Sequence, residues 1–152
     1  MSDSSPPRIE LTDRPSEAAL AAILNGLITA NAGLVGPSNH RVLAVVVRDA
    51  EDTPQGGLSG YTAWGWLFIE KVWVAETLRG QGLAGRLLAD AEAEAVRRGC
   101  HGAWLDTFNP AARRVYERQG YRVFGELPDF PMGRSRVFLR KMLRPPSGTP
   151  AA

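Results

Sequence analysis

Residues 79–85 read Arg-Gly-Gln-Gly-Leu-Ala-Gly. Residue types at this spacing suit one task, holding a phosphate against bare backbone. Glycines at 80, 82 and 85 and the alanine at 84 let a bulky pyrophosphate approach main-chain N–H groups. Helical spacing begins at Ala84, so those N–H groups sit at a helix N-terminus, where unpaired donors and the positive dipole end attract anions. Arg79 adds a full charge and a bidentate fork. Three readings fit the loop by itself. A nicotinamide or flavin dinucleotide site is one, because the glycines spell G-x-G-x-x-G after a strand and Asp106 lies about 20 residues on. Polar residues and Arg79 stand between strand and glycines, however, and the chain offers one strand–helix–strand unit where that fold needs several. The second reading is the pyrophosphate of a ligand with a long flexible arm, which the backbone of residues 70–74 could pair. The third is a tight strand-to-helix turn that holds nothing.

Other residues that could do chemistry are few. In the strand at residues 66–74, alternation places Trp66, Phe68, Glu70, Val72 and Val74 on one face. A carboxylate among apolar neighbours is costly without a partner or a task, and desolvation would raise its pKa. Glu70 is therefore either a general base for an amine that arrives protonated, acting through water, or half of an ion pair with an arginine. Asp106 is either a ligand for a substrate ammonium or the polar end of a strand. His40 and His101 have no nucleophile or metal-ligand partner at useful spacing, and Cys100 is the only cysteine. A hydrolase triad, a disulfide and a cysteine-rich zinc site are all unsupported, and no metal is expected.

The elements that must position these groups follow from periodicity. Residues 8–12 suit a short strand. Ser16 caps a helix to about Ala32, with Leu20, Ile23, Leu24, Leu27 and Ile28 on one face. Residues 41–48, 58–63 and 66–74 are strands, joined by a loop at 51–57 and a turn near Gly65. The helix from Ala84 buries Leu87, Leu88, Ala91 and Ala95, keeps Glu92, Glu94, Arg97 and Arg98 mostly off that face, and stops at Gly99. A strand at 102–108 leads to Asn109-Pro110, an N-cap and first helical residue, and that helix stops at Gly120. Strands at 121–125 and 136–143 flank a loop at 126–135. The order β-α-β-β-β-α-β-α-β-β makes an α/β domain over residues 8–144, with a mixed, mostly antiparallel sheet flanked by helices and one parallel pair at its centre. Residues 1–7 and 145–152 read as tails.

Composition narrows the function. The chain has 152 residues, 44% of them hydrophobic, and 18 basic against 16 acidic residues for a net charge of +2. That balance, with no basic stripe, argues against nucleic-acid binding. The apolar stretches read as too interrupted to span a bilayer, and the N-terminus has no secretion signal. A cytoplasmic protein without a membrane partner is the expectation.

The segment VWVAETLRGQGLAGRLL resembles motif A of the GCN5-related N-acetyltransferases (GNATs), with Arg79, Gly82 and Ala84 at the motif's core positions. NPAARRVYERQGY is similar to the family's second motif, matching at Asn109, Ala112, Tyr116, Gly120 and Tyr121. The resemblance runs over residues 8–143 and implies the acyl-CoA N-acyltransferase fold, with a splay between the parallel strands that admits the acyl arm. It implies acetyl transfer from acetyl-CoA to a primary amine in a ternary complex. Under it, the amides of Gly80, Gln81, Gly82, Leu83, Ala84 and Gly85, with Arg79, hold the pyrophosphate. Val72, Trp73 and Val74 bond the pantetheine arm, and Asn109, Ala112 and Tyr116 complete the cofactor site. Tyr116 becomes the general acid beside the departing sulfur, where residue type alone favours a core aromatic. Trp66, Asp106 and Phe130 are candidates for the acceptor pocket. The acceptor, a small molecule or a protein amine, stays open, as does a homodimer. A CoA-binding sensor that lost catalysis is the alternative, and a dinucleotide binder comes third.

Overall fold

The structure is a computed structural model that describes residues 5–144; most of the two expected tails lies outside the described residues. The chain forms two units that divide after Pro37.

In the first unit, the Ser16 hydroxyl accepts the Ala19 N–H at 3.1 Å and starts α1, Glu17–Val35. The helix runs past Ala32 and ends where Gly36, at φ 84°, turns its N–H back to the Ala32 carbonyl. The strand expected at residues 8–12 does not form. The Thr12 hydroxyl instead takes the Arg14 N–H at 2.9 Å, a local bond that competes with a ladder. The expectation about bilayer-length apolar runs is also corrected. After Glu17, α1 carries no charge, and an 18-residue window of this 19-residue helix, with a mean hydropathy of 1.7, suffices by length and composition to cross a membrane. Core helices of globular proteins meet the same criterion.

The second unit holds a six-stranded sheet of order β1-β2-β3-β4-β6-β5. Its strands are β1 Arg41–Arg48, β2 Pro54–Ala63, β3 Trp66–Val74, β4 Gly102–Thr107, β5 Arg122–Pro128 and β6 Ser135–Met142. Two helices accompany them, α2 Leu83–Arg97 and α3 Pro110–Arg118. Trp64 and Gly65, at φ 47° and 78°, make the two-residue turn between β2 and β3. Two expected loops are shorter than the sequence suggested. The Asp49 carboxylate accepts the Glu51 and Thr53 N–H groups, so β2 resumes at Pro54. Gly56 and Gly57 therefore lie inside β2, where side chains would strike the Trp73 carbonyl at 2.8 Å and the Val45 carbonyl at 2.6 Å. On the other edge β5 continues to Pro128, opposite Ser135.

The pair that matters for function is β3 and β4. They run parallel and pair only through Trp66–Phe68 and Gly102–Trp104. Beyond that they part, and a gap opens between residues 69–74 and 105–107. A bulge sets the direction of the free half of β3. Ser59 pairs with Lys71 and Gly60 with Ile69, which leaves Glu70 as the extra residue. Gly60 permits the close approach, since a Cβ there would lie 1.9 Å from the Phe68 carbonyl oxygen. Gly60→Ala is expected to lower stability by about 1–3 kcal/mol, the range for overpacking, read as a lower denaturant midpoint. An unchanged midpoint would mean that the bulge does not depend on this contact.

The core lies between the sheet and α2. Leu43, Leu58, Leu67, Ile69, Ala103, Leu105 and Leu139 of the strands meet Leu87, Leu88, Ala91 and Ala95, all buried. Two charged residues expected off the α2 core face are drawn in. Glu92, one turn beyond Leu88, is buried and ion-paired to Lys141 of β6. Burial pushes its carboxyl above the usual range, against the pull of Lys141. Arg98 reaches the Arg41 and Val42 carbonyls, each at 3.1 Å, and ties the end of α2 to β1.

Candidate active site

The glycine loop is shaped before any ligand is considered. After β3, residues Glu76–Leu78 make one 3-10 turn, and the Arg79 Nε donates to the Val74 carbonyl at 3.0 Å. Gly80 and Gly82 follow at φ 78° and 74°, in the region that glycine favours. A Cβ on either would meet nothing within 4 Å. The space in front of both residues is therefore open. Gly82 is the N-cap of α2 and has no side chain to answer the first-turn N–H groups. Bare donors, open space and the helix dipole together make an anion seat.

This seat forms one end of a cleft of about 630 Å³. Val72, Trp73 and Val74 of β3 line one side. Arg79, Gly80, Gly82, Leu83 and Ala84 form the end, and Asn109, Ala112 and Tyr116 close the other side. Two residues assigned to the cofactor from sequence are absent from the lining. Gln81 is exposed at the loop tip. Gly85 serves helix packing, since a Cβ there would lie 2.4 Å from the Gln119 side chain. Asn109 caps α3 as expected, with its Oδ1 accepting the Ala111 N–H at 2.9 Å.

A second cleft, of about 420 Å³, fills the gap between β3 and β4. Glu70 and Lys71 stand on one wall, Asp106, Thr107 and Phe108 on the other, with Arg136 of β6 beside them. Val72, Asn109, Ala112 and Tyr116 line both clefts. Tyr116 thus stands where the phosphate-seat cleft meets the inter-strand cleft. The residue is buried. Burial first, and the Asp106 carboxylate second, push its phenol above the ordinary tyrosine value. It keeps its proton throughout the neutral range.

The other candidates fare unevenly. The bulge breaks the alternation on which the Glu70 reading rested. Trp66 and Phe68 share one face, while Val72 and Val74 turn to pack on the core. Glu70 is exposed and stands 3.7 Å from the Lys71 ammonium. The desolvation expected of it does not occur, and its ion-pair partner is a lysine. Asp106 is largely buried and engaged, accepting the Arg136 Nε–H at 2.7 Å. Phe130 lies against the same guanidinium, 4.7 Å from ring centre to carbon. Trp66 is not brought to the site. It packs on His101 and over Gly102, at the paired end of the parallel strands. Arg136 was missed. Alternation in β6 sets Val137 and Leu139 inward, which puts Arg136 on the opposite face, but only the β4–β6 register brings it to Asp106.

The model of the acetyltransferase (GNAT) family matches residues 11–121. The chain is 43% identical over 131 residues to an acetyltransferase of Agrobacterium fabrum, spanning 86% of this chain and 96% of that protein. It is 42% identical over 89 residues to the blasticidin-S acetyltransferase of Streptomyces morookaense, covering 58% of this chain and 65% of that one. A crystal structure from Agrobacterium tumefaciens, described as an acetyltransferase, superposes with a TM-score of 0.86 at 41% identity. That match covers 90% of this chain and 99% of the other.

Proposed function

The chain belongs to the GNAT family and is an acetyl-CoA-dependent acetyltransferase, and from that premise we propose that it moves the acetyl group directly onto a primary amine of a small molecule. The observation that carries this reading is the position of Tyr116, on the wall shared by the phosphate-seat cleft and the inter-strand cleft. A donor group and an acceptor can meet there without a covalent relay through the protein. Cys100 is buried outside both clefts and cannot carry an acyl group between them. The Streptomyces relative is named for a small antibiotic, which favours a small acceptor over a protein amine.

Acetyl-CoA supplies an activated thioester. The rest falls to the residues. Gly80, Gly82, Leu83 and Ala84 bind the pyrophosphate through the open anion seat, and Arg79 adds charge at its rim. The free half of β3, from Val72 to Val74, offers the pantetheine arm backbone groups, and an N–H near Val74 polarises the thioester carbonyl. Asn109 and Ala112 flank the arm from α3. Glu70, in the acceptor cleft, takes a proton from the amine through water. Tyr116 holds its proton at Oη and gives it to the departing sulfur. Kept protonated by burial, it suits an acid better than a sensor, which needs no proton there.

The reading is tested by a screen of amines with acetyl-CoA, followed by thiol release. Failure of every amine, under conditions where acetyl-CoA binds, would leave the sensor reading in possession. A narrower test concerns Glu70. Glu70→Gln is expected to lower kcat/KM by about a hundredfold or more, the span of general base catalysis, and to remove or move the acid limb of its pH profile. An unchanged profile would assign the proton to another group or to water alone.

A further inference from the structure

The inter-strand cleft carries two ion pairs and no surplus of either sign. On the β3 wall the Lys71 Nζ stands 3.7 Å from Glu70. On the β6 side the Arg136 Nε lies 2.7 Å from the Asp106 Oδ1, and Nη2 contacts the same oxygen. A site built to select a polycationic amine presents excess carboxylate, and this one does not. The neighbouring recess shares Thr107, Phe108 and Asn109 with the cleft and adds Arg113 and Arg134, with no acid in its lining. Arg113 is held by Glu117. Arg134 has no ion-pair partner among the described residues.

Arg136 is prepared for a ligand. Its guanidinium is 4.7 Å from the Phe130 ring centre and 5.9 Å from that of Phe138, so its position is fixed. Asp106 occupies the Nε side. Nη1 has no acceptor among the described residues, and the side chain keeps 32% of its surface open. A guanidinium held on one edge and free on the other is a receptor for a planar anion, with a carboxylate the best match. Asp106, 15% exposed and hydrogen-bonded to Arg136 at 2.7 Å, is then less free to bind a substrate ammonium than Glu70, which is 39% exposed and 3.7 Å from Lys71. The amine is left to Glu70.

We infer that the acetyl acceptor is an amine that also carries a carboxylate, with Arg136 gripping the carboxylate while the amine faces Glu70 and Tyr116. The inference rests on the acetyl-transfer reading of this cleft and sharpens it from amines in general to zwitterions. It also gives Arg136 a task in specificity rather than in chemistry.

The test pairs acids with their amides. Glycine, β-alanine, γ-aminobutyrate and the protein α-amino acids are each assayed beside their carboxamides, with thiol release as the signal. The acids are expected to be favoured by about tenfold or more in kcat/KM, the scale of a lost charge-assisted hydrogen bond, with the difference in KM. Arg136→Gln should erase that preference by lowering kcat/KM for the acids toward that for the amides. Arg136→Lys keeps the charge beside Asp106 and should restore part of the preference. Stabilisation by acetyl-CoA should persist in both variants and report that they fold. Equal use of acids and amides by the wild-type enzyme, or an equal loss on both in Arg136→Gln, would overturn the inference and leave amine acetylation standing. No turnover of any amine, with acetyl-CoA still stabilising the fold, would remove the reading beneath it and the inference with it.

Discussion

Gly82→Glu is expected to abolish both the stabilisation of this protein by acetyl-CoA and its activity. The effect has two sources. Gly82 sits at φ 74°, where a residue with a Cβ costs about 1–2 kcal/mol. The larger effect is the carboxylate. The space before Gly82 is empty of protein for 4 Å, and α2 points its unanswered N–H groups into it. A glutamate there fills the seat with a negative charge and takes the donors meant for phosphate. In the wild-type protein, ligand at about 100 times its Kd stabilises the fold by about 2.7 kcal/mol through linkage. The variant should show no such shift in a thermal melt. Gly82→Asn separates the sources, because asparagine tolerates the left-handed region and carries no charge. It should retain part of the shift. A full acetyl-CoA shift in Gly82→Glu would place the pyrophosphate elsewhere.

Tyr116→Phe is expected to reduce kcat by about 10- to 100-fold, at or just below the lower limit of about 100-fold typical of general acid catalysis. The low end applies because a thiol, with a pKa near 8.5, is a better leaving group than most. The ring and its packing are unchanged. Only the hydroxyl is removed, so stability should change by about 1 kcal/mol or less, the scale of one hydrogen bond. Affinity for acetyl-CoA should hold, since the anion seat and the free half of β3 are untouched. The pH dependence follows from the direction of the shift. Burial and Asp106 raise the phenol above its usual value, so the acid form persists through neutrality. The activity it supports should fall only as pH rises beyond about 10. Wild-type kcat in the variant, where chemistry limits the rate, would return Tyr116 to the core. Loss of acetyl-CoA binding would make the hydroxyl a positioning group instead.

Much of this protein was legible in the sequence because its signals are local. The glycines at 80 and 82 need no partner to mark a loop of special conformation. Asn109-Pro110 caps α3 through atoms two residues apart. The helical spacing of Leu87, Leu88, Ala91 and Ala95 is a short-range pattern that burial rewards wherever the chain goes. The order of elements and the clustering of Asn109, Ala112 and Tyr116 on one helix follow from such local signals. The sequence overreached where a pattern depends on a neighbour. Residues 8–12 have strand composition, but a strand exists only where another supplies its ladder. Glu92 and Arg98 look like surface charges until Lys141 and the β1 carbonyls meet them.

What the tertiary structure alone decided is the character of the acceptor cleft. One extra residue in β3, opposite Gly60, turns Val72 and Val74 to the core side and leaves Glu70 exposed beside Lys71. Alternation cannot foresee it, because a bulge is a mismatch between two strands and not a property of either. The register of β4 against β6 sets Arg136 against Asp106 across 30 residues of chain. That single pairing turns a carboxylate that could have bound an ammonium into the support of a guanidinium that can bind a carboxylate. Sequence determined where the protein can hold a phosphate, since such a seat is made from consecutive backbone N–H groups. The charge presented to the other substrate depends on side chains from three strands, and only their packing brings those together.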